Sequence, residues 1–290
     1  MTTPPDSVRE CRVGDLRIGQ GRPLAIIAGP CVLESLSLGL EIGVAMRDAC
    51  KALGLPYIFK ASFDKANRSS IRSPRGPGLD QGLAWLAEIR ETLGVPATTD
   101  IHEPAHAEPA ARALDLLQIP AFLCRQTDLL CAAGEAAVKH NRAVNVKKGQ
   151  FLSPAEMKGA ARKLAETGCE NLLFTERGTF FGYGRLVNDF LGLGDLINLE
   201  SQGGPVPVCF DCTHSTQLPG AGEQTGGRPE RAPLLARAAA AAGVHALFIE
   251  CHPSPKSAMS DASTMLDLAT AQQVLREVAA IRIALRSMTQ

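Results

Sequence analysis

Eight short apolar runs alternate with longer amphipathic segments along most of the chain. The last run, Ala246 to Ile249, is uninterrupted, which is typical of a strand buried on both faces of a parallel sheet. The runs lie near residues 24–28, 57–62, 95–101, 115–119, 143–148, 171–176, 206–212 and 246–251. Helical spacing covers 35–54, 78–93, 104–113, 127–140, 153–168, 230–243 and 262–286, whereas 178–205 has no clear pattern. This alternation predicts either a closed barrel or a doubly wound sheet.

Residue types at the ends of these segments support the predicted boundaries. A glycine follows four of the helices, where a left-handed residue is favoured: Gly54, Gly94, Gly168 and Gly243. Ser153-Pro-Ala-Glu156 has the N-cap serine, early proline and third-position glutamate of a helix start. Before the first run, two alternating segments flank Val13-Gly-Asp15 and predict a hairpin within the N-terminal residues 1–23. We expect residues 1–8, which precede these segments, to be loose.

Polar side chains follow nearly every apolar run where it ends. Lys60, Lys147 and Glu250 are examples from the second, fifth and eighth runs. Barrel active sites form at the C-terminal ends of all strands, whereas a doubly wound sheet concentrates its chemistry at one switch point. No G-x-G-x-x-G motif or Walker loop is present. The sequence therefore predicts an α/β fold, a (β/α)₈ TIM barrel whose bottom is capped by the short N-terminal hairpin.

Composition narrows the class of protein. A chain of 290 residues with 45% hydrophobic residues fits a single barrel domain over 1–290. Thirty basic and thirty acidic residues give a net charge of zero, which offers no signal for nucleic acid or a membrane surface. Nine cysteines and no signal-peptide pattern indicate a reducing compartment, so we expect a cytoplasmic protein.

Strand alternation places several cations inside the barrel mouth. Asn145 and Lys147 share one face of their strand, and Thr98, Asp100 and His102 share one face of theirs. The cations expected at the mouth or on its loops are Lys60, Lys65, Arg68, Arg125, Lys147 and Arg177. Converging cations need an anionic partner when they are partly desolvated. We therefore expect a ligand with several negative groups, such as a phosphate and a carboxylate.

A thiol, an imidazole and two carboxylates come from neighbouring strand ends. Cys31, His214, Glu250 and Asp261 would suit a borderline transition metal. Alternatives remain open on spacing alone: Cys31 as a small core residue, Asp261 as a helix cap, or His252 as the ligand. The pair Cys209 and Cys212 looks like C-x-x-C, but residues three apart on a strand point to opposite faces.

Four long motifs closely resemble the 3-deoxy-D-manno-octulosonate 8-phosphate synthase family. They are FKASFDKANRSS (59–70), IPAFLCRQTD (119–128), NVKKGQF (145–151) and DCTHS (211–215). The resemblance, which runs from about residue 24 to 268, implies a (β/α)₈ barrel, commonly a homotetramer. It implies condensation of phosphoenolpyruvate with arabinose 5-phosphate, with release of phosphate, in the pathway to the lipopolysaccharide inner core.

The same resemblance implies roles for individual residues. AGPCVLE (28–34) and SDAST (260–264) are similar to the metal-dependent class, in which Cys31, His214, Glu250 and Asp261 would bind Zn²⁺, Fe²⁺, Mn²⁺ or Co²⁺. The residues implied for phosphoenolpyruvate are Lys60, Lys65, Gln118, Lys147 and Arg177. Those implied for the sugar phosphate are Asn67, Arg68, Ser69 and, from a neighbouring subunit, Arg125. The implied catalytic set is Lys60, Asp100, His102, Lys147 and His214, and residues 219–229 are a candidate lid.

Other functions are weighed against this expectation. The nearest is 3-deoxy-D-arabino-heptulosonate 7-phosphate synthase, which uses erythrose 4-phosphate and in which a Pro-Arg-Thr sequence usually stands where this chain has KANRS (65–69). More distant alternatives are a non-catalytic barrel that binds a partner and a metal-dependent hydrolase. A Schiff base on Lys60 or Lys147 is a further mechanistic alternative, although phosphoenolpyruvate is already an activated enol.

Overall fold

The computed structural model describes residues 9–67, 71–219 and 226–288. Its strands are β1 (Cys11–Val13), β2 (Leu16–Ile18), β3 (Ala25–Gly29), β4 (Tyr57–Lys60), β5 (Ala97–Asp100), β6 (Leu116–Ile119), β7 (Ala143–Lys147), β8 (Leu172–Glu176), β9 (Val208–Asp211), β10 (Gln217–Leu218), β11 (Gly226–Gly227), β12 (Ala246–His252) and β13 (Leu266–Asp267). Its helices are α1 (Leu36–Ala52), α2 (Leu79–Leu93), α3 (Ala107–Ala113), α4 (Thr127–His140), α5 (Met157–Glu166), α6 (Phe190–Ile197), α7 (Ala232–Ala242) and α8 (Leu268–Met288). None of these helices is long and apolar enough to cross a membrane.

Eight parallel strands close into a barrel. The order runs β3-β4-β5-β6-β7-β8-β9, and β12 closes the ring because it pairs with both β9 and β3. The helices pack around the outside, where side chains such as Val144 and Val146 join the larger hydrophobic cluster. The predicted (β/α)₈ barrel is confirmed, and β12 brings the ends of β9 and β3 beside one another.

The predicted hairpin fills the bottom of the barrel. β1 and β2 pair antiparallel, with Val13 opposite Leu16. Cys11, Val13 and Ile18 are fully buried in the cluster formed by inward-facing residues at the start of the barrel strands. Residues 1–8, which we expected to be loose, lie outside the described residues.

Most predicted boundaries hold to within a few residues, and the glycines explain several of them. Gly94 ends α2 with φ of 63°, and the glycines after α1, α5 and α7 also have positive φ. Three helices begin with a short 3₁₀ turn that contains proline at its first position: Pro104–His106, Pro154–Glu156 and Pro229–Arg231. The predicted capping box of Ser153 and Glu156 is present.

The last helix was predicted to begin too early. The sequence pattern starts it at 262, but α8 begins at Leu268, because Asp267 caps it by accepting a hydrogen bond from the Thr270 amide at 2.8 Å. The preceding Leu266 and Asp267 form β13, which extends the sheet beside β12. The unassigned stretch 178–205 contains α6 and an antiparallel bridge between Thr179 and Val187.

Candidate active site at the barrel mouth

Buried charges crowd the C-terminal end of the barrel. Lys60 is 2% exposed, and its ammonium donates to Glu250 Oε1 at 2.8 Å and to the Cys31 carbonyl at 3.0 Å. It also lies 3.4 Å from Asp100 Oδ2. Glycine is required at position 29 for this approach, because a Cβ there would lie 2.1 Å from the Lys60 carbonyl oxygen. The ends of β4, β5 and β12 thus share one set of ion pairs, to which the segment after β3 adds a carbonyl hydrogen bond.

A second ion-paired group lies across the barrel. Lys147 Nζ lies 2.5 Å from Asp211 Oδ2, and the same oxygen lies 2.6 Å from Nδ1 of His214. Both lysines lie near the Phe248 ring, with Lys147 Nζ 4.1 Å from its centroid. Burial alone would lower the pKa of Lys60, but the Glu250 and Asp100 carboxylates raise it above its ordinary value, so Lys60 is not the free amine that a Schiff base needs.

Three of the four predicted metal ligands lie together. The ligand atoms of Cys31, Glu250 and Asp261 all fall within 4.8 Å of one another. The fourth, His214, points Nε2 at the same place, 3.3 Å from Glu250 Oε2 and 3.7 Å from Asp261 Oδ2. His252, the alternative ligand, instead accepts a hydrogen bond from the Ser254 amide through Nδ1.

This donor set fits a bound cation. Glu250 Oε2 is buried and accepts no hydrogen bond from the described residues. Burial, with the nearby Asp261 and Glu250 carboxylates, raises the pKa of the Cys31 thiol well above its ordinary value, which shows how strongly negative the surroundings of this thiol are. Asp261 has a positive φ of 49° although it is not glycine, a costly conformation that is common at functional sites. One sulfur, one nitrogen and two carboxylate donors suit a borderline divalent metal.

Lys65 approaches the same group from the loop after β4. Its ammonium contacts Asp261 Oδ2 and lies 3.3 Å from Cys31 Sγ. Burial alone would lower the pKa of Lys65. The surrounding Cys31, Asp261 and Glu250 raise this pKa by more than burial lowers it, so the side chain stays charged. The cluster thus already attracts a positive charge.

Asp100 is a buried carboxylate with hydrogen-bond donors on both oxygens. Ser62 and Gln118 donate to its two oxygens, the latter at 2.6 Å. Burial raises the pKa of Asp100, but the attraction of Lys60 and Lys147 outweighs this effect and holds the pKa well below its usual range. Asp100 is therefore an ionised acceptor at the centre of the mouth.

The remaining predicted residues are placed differently. Arg177 is 5% exposed, its Nη2 donates to Gln217 Oε1 at 2.5 Å, and its Nη1 has no hydrogen-bond partner in the described parts of the chain. His102 packs edge-on against Phe63 at 5.8 Å. Asn67 and Arg125 are exposed. Arg68 and Ser69 lie outside the described residues, as do residues 220–225 of the candidate lid, although Gly226–Gly227 pairs with Gln217–Leu218 at its base.

Sequence reasoning assigned no role to several residues that shape the site. Asp211 orients His214, and the Thr213 hydroxyl accepts from the Glu250 amide at 3.1 Å. Asn145 and Thr175 join a row of hydrogen bonds that reaches Asp100. The spacing of Asp211 and His214 at a strand end was the one available signal. The predicted split of the C-x-x-C pair is confirmed: Cys209 faces the barrel interior and Cys212 the helices.

Comparison with known proteins agrees with this architecture. The chain is similar to proteins named 2-dehydro-3-deoxyphosphooctonate aldolase from Cyanothece sp. (49% identity over 93% of this chain and 96% of that protein), from Granulibacter bethesdensis (50%, 92% and 92%) and from Desulfotalea psychrophila (47%, 97% and 97%). The profile described as the DAHP synthetase I family matches residues 5–285. With a closed parallel barrel, a charged mouth and these matches, the chain belongs to the DAHP synthetase I family.

Proposed function

We propose that this protein condenses phosphoenolpyruvate with D-arabinose 5-phosphate and water, which yields 3-deoxy-D-manno-octulosonate 8-phosphate and inorganic phosphate for the lipopolysaccharide inner core. The proposal rests on one observation: four cations converge on buried carboxylates at one barrel mouth. The cations are Lys60, Lys65, Lys147 and Arg177, and the carboxylates are those of Asp211, Glu250 and Asp261. The names of relatives at 47–50% identity support this activity. The enzyme would be a carbon–carbon bond-forming transferase.

The positions of the cations suggest separate sites for the two substrates, one deep in the barrel mouth and one at its rim. Lys60, Lys65, Gln118, Lys147 and Arg177 would hold the phosphate and carboxylate of phosphoenolpyruvate. Nη1 of Arg177, which has no hydrogen-bond partner in the part of the chain that the structure describes, supports this role, because a buried guanidinium nitrogen needs an acceptor. Asn67, Arg68 and Ser69 on the loop after β4 would bind the sugar phosphate, with Arg125 reaching in from a second subunit.

Cys31, His214, Glu250 and Asp261 would hold a divalent ion, of which Zn²⁺, Fe²⁺, Mn²⁺ and Co²⁺ are the candidates. Bound there, the ion would supply Lewis acidity to an aldehyde oxygen or to water. The residues around it prepare this site: Asp211 fixes the His214 ring, and Thr213 Oγ1 fixes the backbone at Glu250.

The reaction forms one carbon–carbon bond, and at C2 a carbon–oxygen bond to water forms while the carbon–oxygen bond to phosphate breaks. C3 of the enol attacks the aldehyde carbon of the open-chain sugar phosphate, and the aldehyde oxygen gains a proton. Water adds to C2 and loses a proton, after which the hemiketal expels phosphate with its oxygen. Lys60 and Lys147 would hold the reactants in attack geometry and stabilise negative charge. Asp100 and His102, at the end of β5, would hold or move the protons.

Phosphate release from phosphoenolpyruvate and arabinose 5-phosphate tests the function. We expect release with arabinose 5-phosphate, its loss after stringent chelation, and recovery when a divalent ion is added back. Turnover with erythrose 4-phosphate alone would establish the heptulosonate reaction, whose name the family profile carries. Phosphate release without a new carbon–carbon bond would establish a hydrolase. Consumption of neither sugar phosphate would leave a non-catalytic barrel.

A homotetramer is also proposed, and an aromatic patch supports it. Phe122, Phe180 and Phe181 lie in series with ring centroids 6.4 Å apart at each step. Phe181 is 93% exposed and the nearby Leu191 is 85% exposed. Exposed apolar patches of this kind are typical of protein interfaces, and a second copy that covered this one would lie beside the loop that carries Arg125.

Cytoplasmic localisation remains a prediction. Its support is the cysteine content of the chain and the free state of all nine cysteines. Fractionation of cells that produce the protein at its natural level would test it.

A further inference from the structure

Four side chains from adjacent strands form a continuous row of hydrogen bonds across the inside of the barrel. Thr175 Oγ1 on β8 donates to Asn145 Oδ1 on β7 at 2.8 Å. Asn145 Nδ2 donates to Gln118 Oε1 on β6 at 2.9 Å, and Gln118 Nε2 donates to Asp100 Oδ1 on β5 at 2.6 Å. All four residues are buried, and Asn145 and Thr175 have no exposed surface. We call these four residues the polar row.

The direction of the polar row is fixed at its Asp100 end. An ionised carboxylate only accepts hydrogen bonds, and Asp100 is kept ionised by Lys60, 3.4 Å away. Gln118 must therefore turn its amide nitrogen to Asp100, which leaves its oxygen facing Asn145. Asn145 then has to present its nitrogen to Gln118, and its own oxygen takes the hydroxyl hydrogen of Thr175. Reversing one amide would bring oxygen against oxygen.

We propose that Asn145 and Thr175 are positioning residues that hold the Gln118 amide with its nitrogen towards Asp100 and the barrel mouth, and thereby set the affinity for phosphoenolpyruvate. The inference rests on the proposed function, in which Gln118 binds that substrate. Gln118 Nε2 carries two hydrogens, of which the bond to Asp100 uses one. The second hydrogen is the donor for an anionic ligand, whereas a rotated amide would present its oxygen and repel the ligand.

Thr175→Val tests the far end of the polar row. The side chain keeps its shape but cannot donate to Asn145, so the Asn145 amide keeps only its hydrogen bond to Gln118 and is held less firmly. Loss of one buried hydrogen bond predicts a rise of about fivefold in KM for phosphoenolpyruvate, with an unchanged KM for arabinose 5-phosphate. Thr175→Ser retains the hydroxyl and should restore the parental KM. Thr99→Val is the matched control, because Thr99 is a buried strand threonine whose hydroxyl has no hydrogen-bond partner among the described residues.

Asn145→Asp tests the centre of the row with a larger expected effect. An ionised aspartate cannot donate to Gln118 Oε1, so the Gln118 amide would lie between two acceptors and lose its single fixed orientation, and KM for phosphoenolpyruvate should rise by roughly tenfold or more. In a Gln118→Met background, Thr175→Val should change this KM by less than about twofold, because its effect passes through Gln118.

The outcomes separate this inference from the proposed function. A parent protein that does not consume phosphoenolpyruvate would refute the proposed function before any variant is made. With an active parent, an unchanged KM in Thr175→Val and Asn145→Asp would overturn the inference. An equal effect of Thr175→Val with and without Gln118, or an equal rise for Thr99→Val, would also overturn it, since a structural defect alone would then account for the change.

Discussion

His214 Nδ1 lies 2.6 Å from Asp211 Oδ2, and this contact turns the opposite nitrogen, Nε2, towards the carboxylates of Glu250 and Asp261. Asp211 Oδ1 meanwhile accepts from the amides of Thr213 and His214 at 3.2 and 2.9 Å. A carboxylate on one ring nitrogen keeps the hydrogen there and leaves the other nitrogen as a ligand. Asp211 therefore leaves Nε2 of His214 available as a ligand for the proposed metal ion.

Asp211→Asn should weaken metal binding by roughly 10–100-fold, because it removes the charge that orients the imidazole. Competition with a chromophoric chelator would measure the affinity. Asp115→Asn is a suitable control, since this buried carboxylate pairs with Arg90 at the opposite end of the barrel. The control should lower stability and leave metal affinity unchanged. Equal affinity of Asp211→Asn and the parent would contradict the assigned role.

Arg177→Lys should raise KM for phosphoenolpyruvate by about tenfold while it preserves the fold. Lysine keeps the charge but loses the planar fork in which Nη2 binds Gln217 and Nη1 remains available to a ligand. Steady-state kinetics would measure the change. Arg237→Lys, in the part-exposed pair with Glu277 that joins α7 to α8, should behave like the parent. Similar kinetics for both variants would argue against a substrate contact of Arg177.

Stability should fall in acid because of His245. Burial, with help from Arg282, lowers the pKa of His245 to about 4, and Nδ1 accepts the Val208 amide hydrogen at 2.9 Å. The unfolded chain binds a proton near pH 6.5, whereas the folded chain does so near pH 4. The contribution of neutral His245 to the free energy of unfolding is therefore fully present above pH 6.5. It decreases as the pH falls towards 4, by at most about 3 kcal/mol.

His245→Asn isolates this contribution, because its amide oxygen can replace Nδ1 as the acceptor but does not titrate. Urea unfolding at pH 7 and pH 5 should show a smaller loss of stability in the variant than in the parent. An identical pH dependence in the two proteins would assign the acid sensitivity to other groups.

Arg125 should act in a neighbouring subunit. If so, co-expression of Arg125→Ala with Lys147→Met should restore activity that neither variant has alone, because mixed oligomers contain sites with an intact Lys147 and an intact neighbouring Arg125. Random mixing in equal amounts would restore about one quarter of the sites. Adding Phe181→Asp to both chains should abolish this recovery together with the oligomer, as measured by light scattering. Absence of recovery in intact oligomers would place Arg125 outside the shared site.

Local pattern was sufficient for most of the fold because strand and helix periods differ and glycines mark the helix ends. It was wrong at 262–267, where the spacing of apolar residues resembles a helix. In the structure Met265 packs with Cys31 and Val32, while Leu266 extends the sheet beside β12. The burial of these side chains against distant residues, rather than their local spacing, determines where α8 begins.

At the site, the sequence predicted which charged groups lie at strand ends but not which of them form ion pairs or hydrogen bonds with one another. The polar row depends on register, in which Asp100 lies opposite Gln118 and Gln118 opposite Asn145. A one-residue shift between neighbouring strands would separate these side chains, and the sequences of the three strands do not by themselves specify the alignment. Lys60 and Glu250 are likewise 190 positions apart and meet only because the barrel closes.

The N-terminal hairpin determines from which end of the barrel substrates can enter and products can leave. Since Val13 and Ile18 occupy its lower end, reactants and product share the upper opening. A molecule bound as deep as Lys60 would then have to enter before one bound at the rim beside Asn67, and phosphate released near Lys60 would have to pass the proposed sugar-phosphate site at the rim. The hairpin thus closes the barrel at the bottom and leaves the upper opening for entry, so the ligand that binds deeper has to bind first.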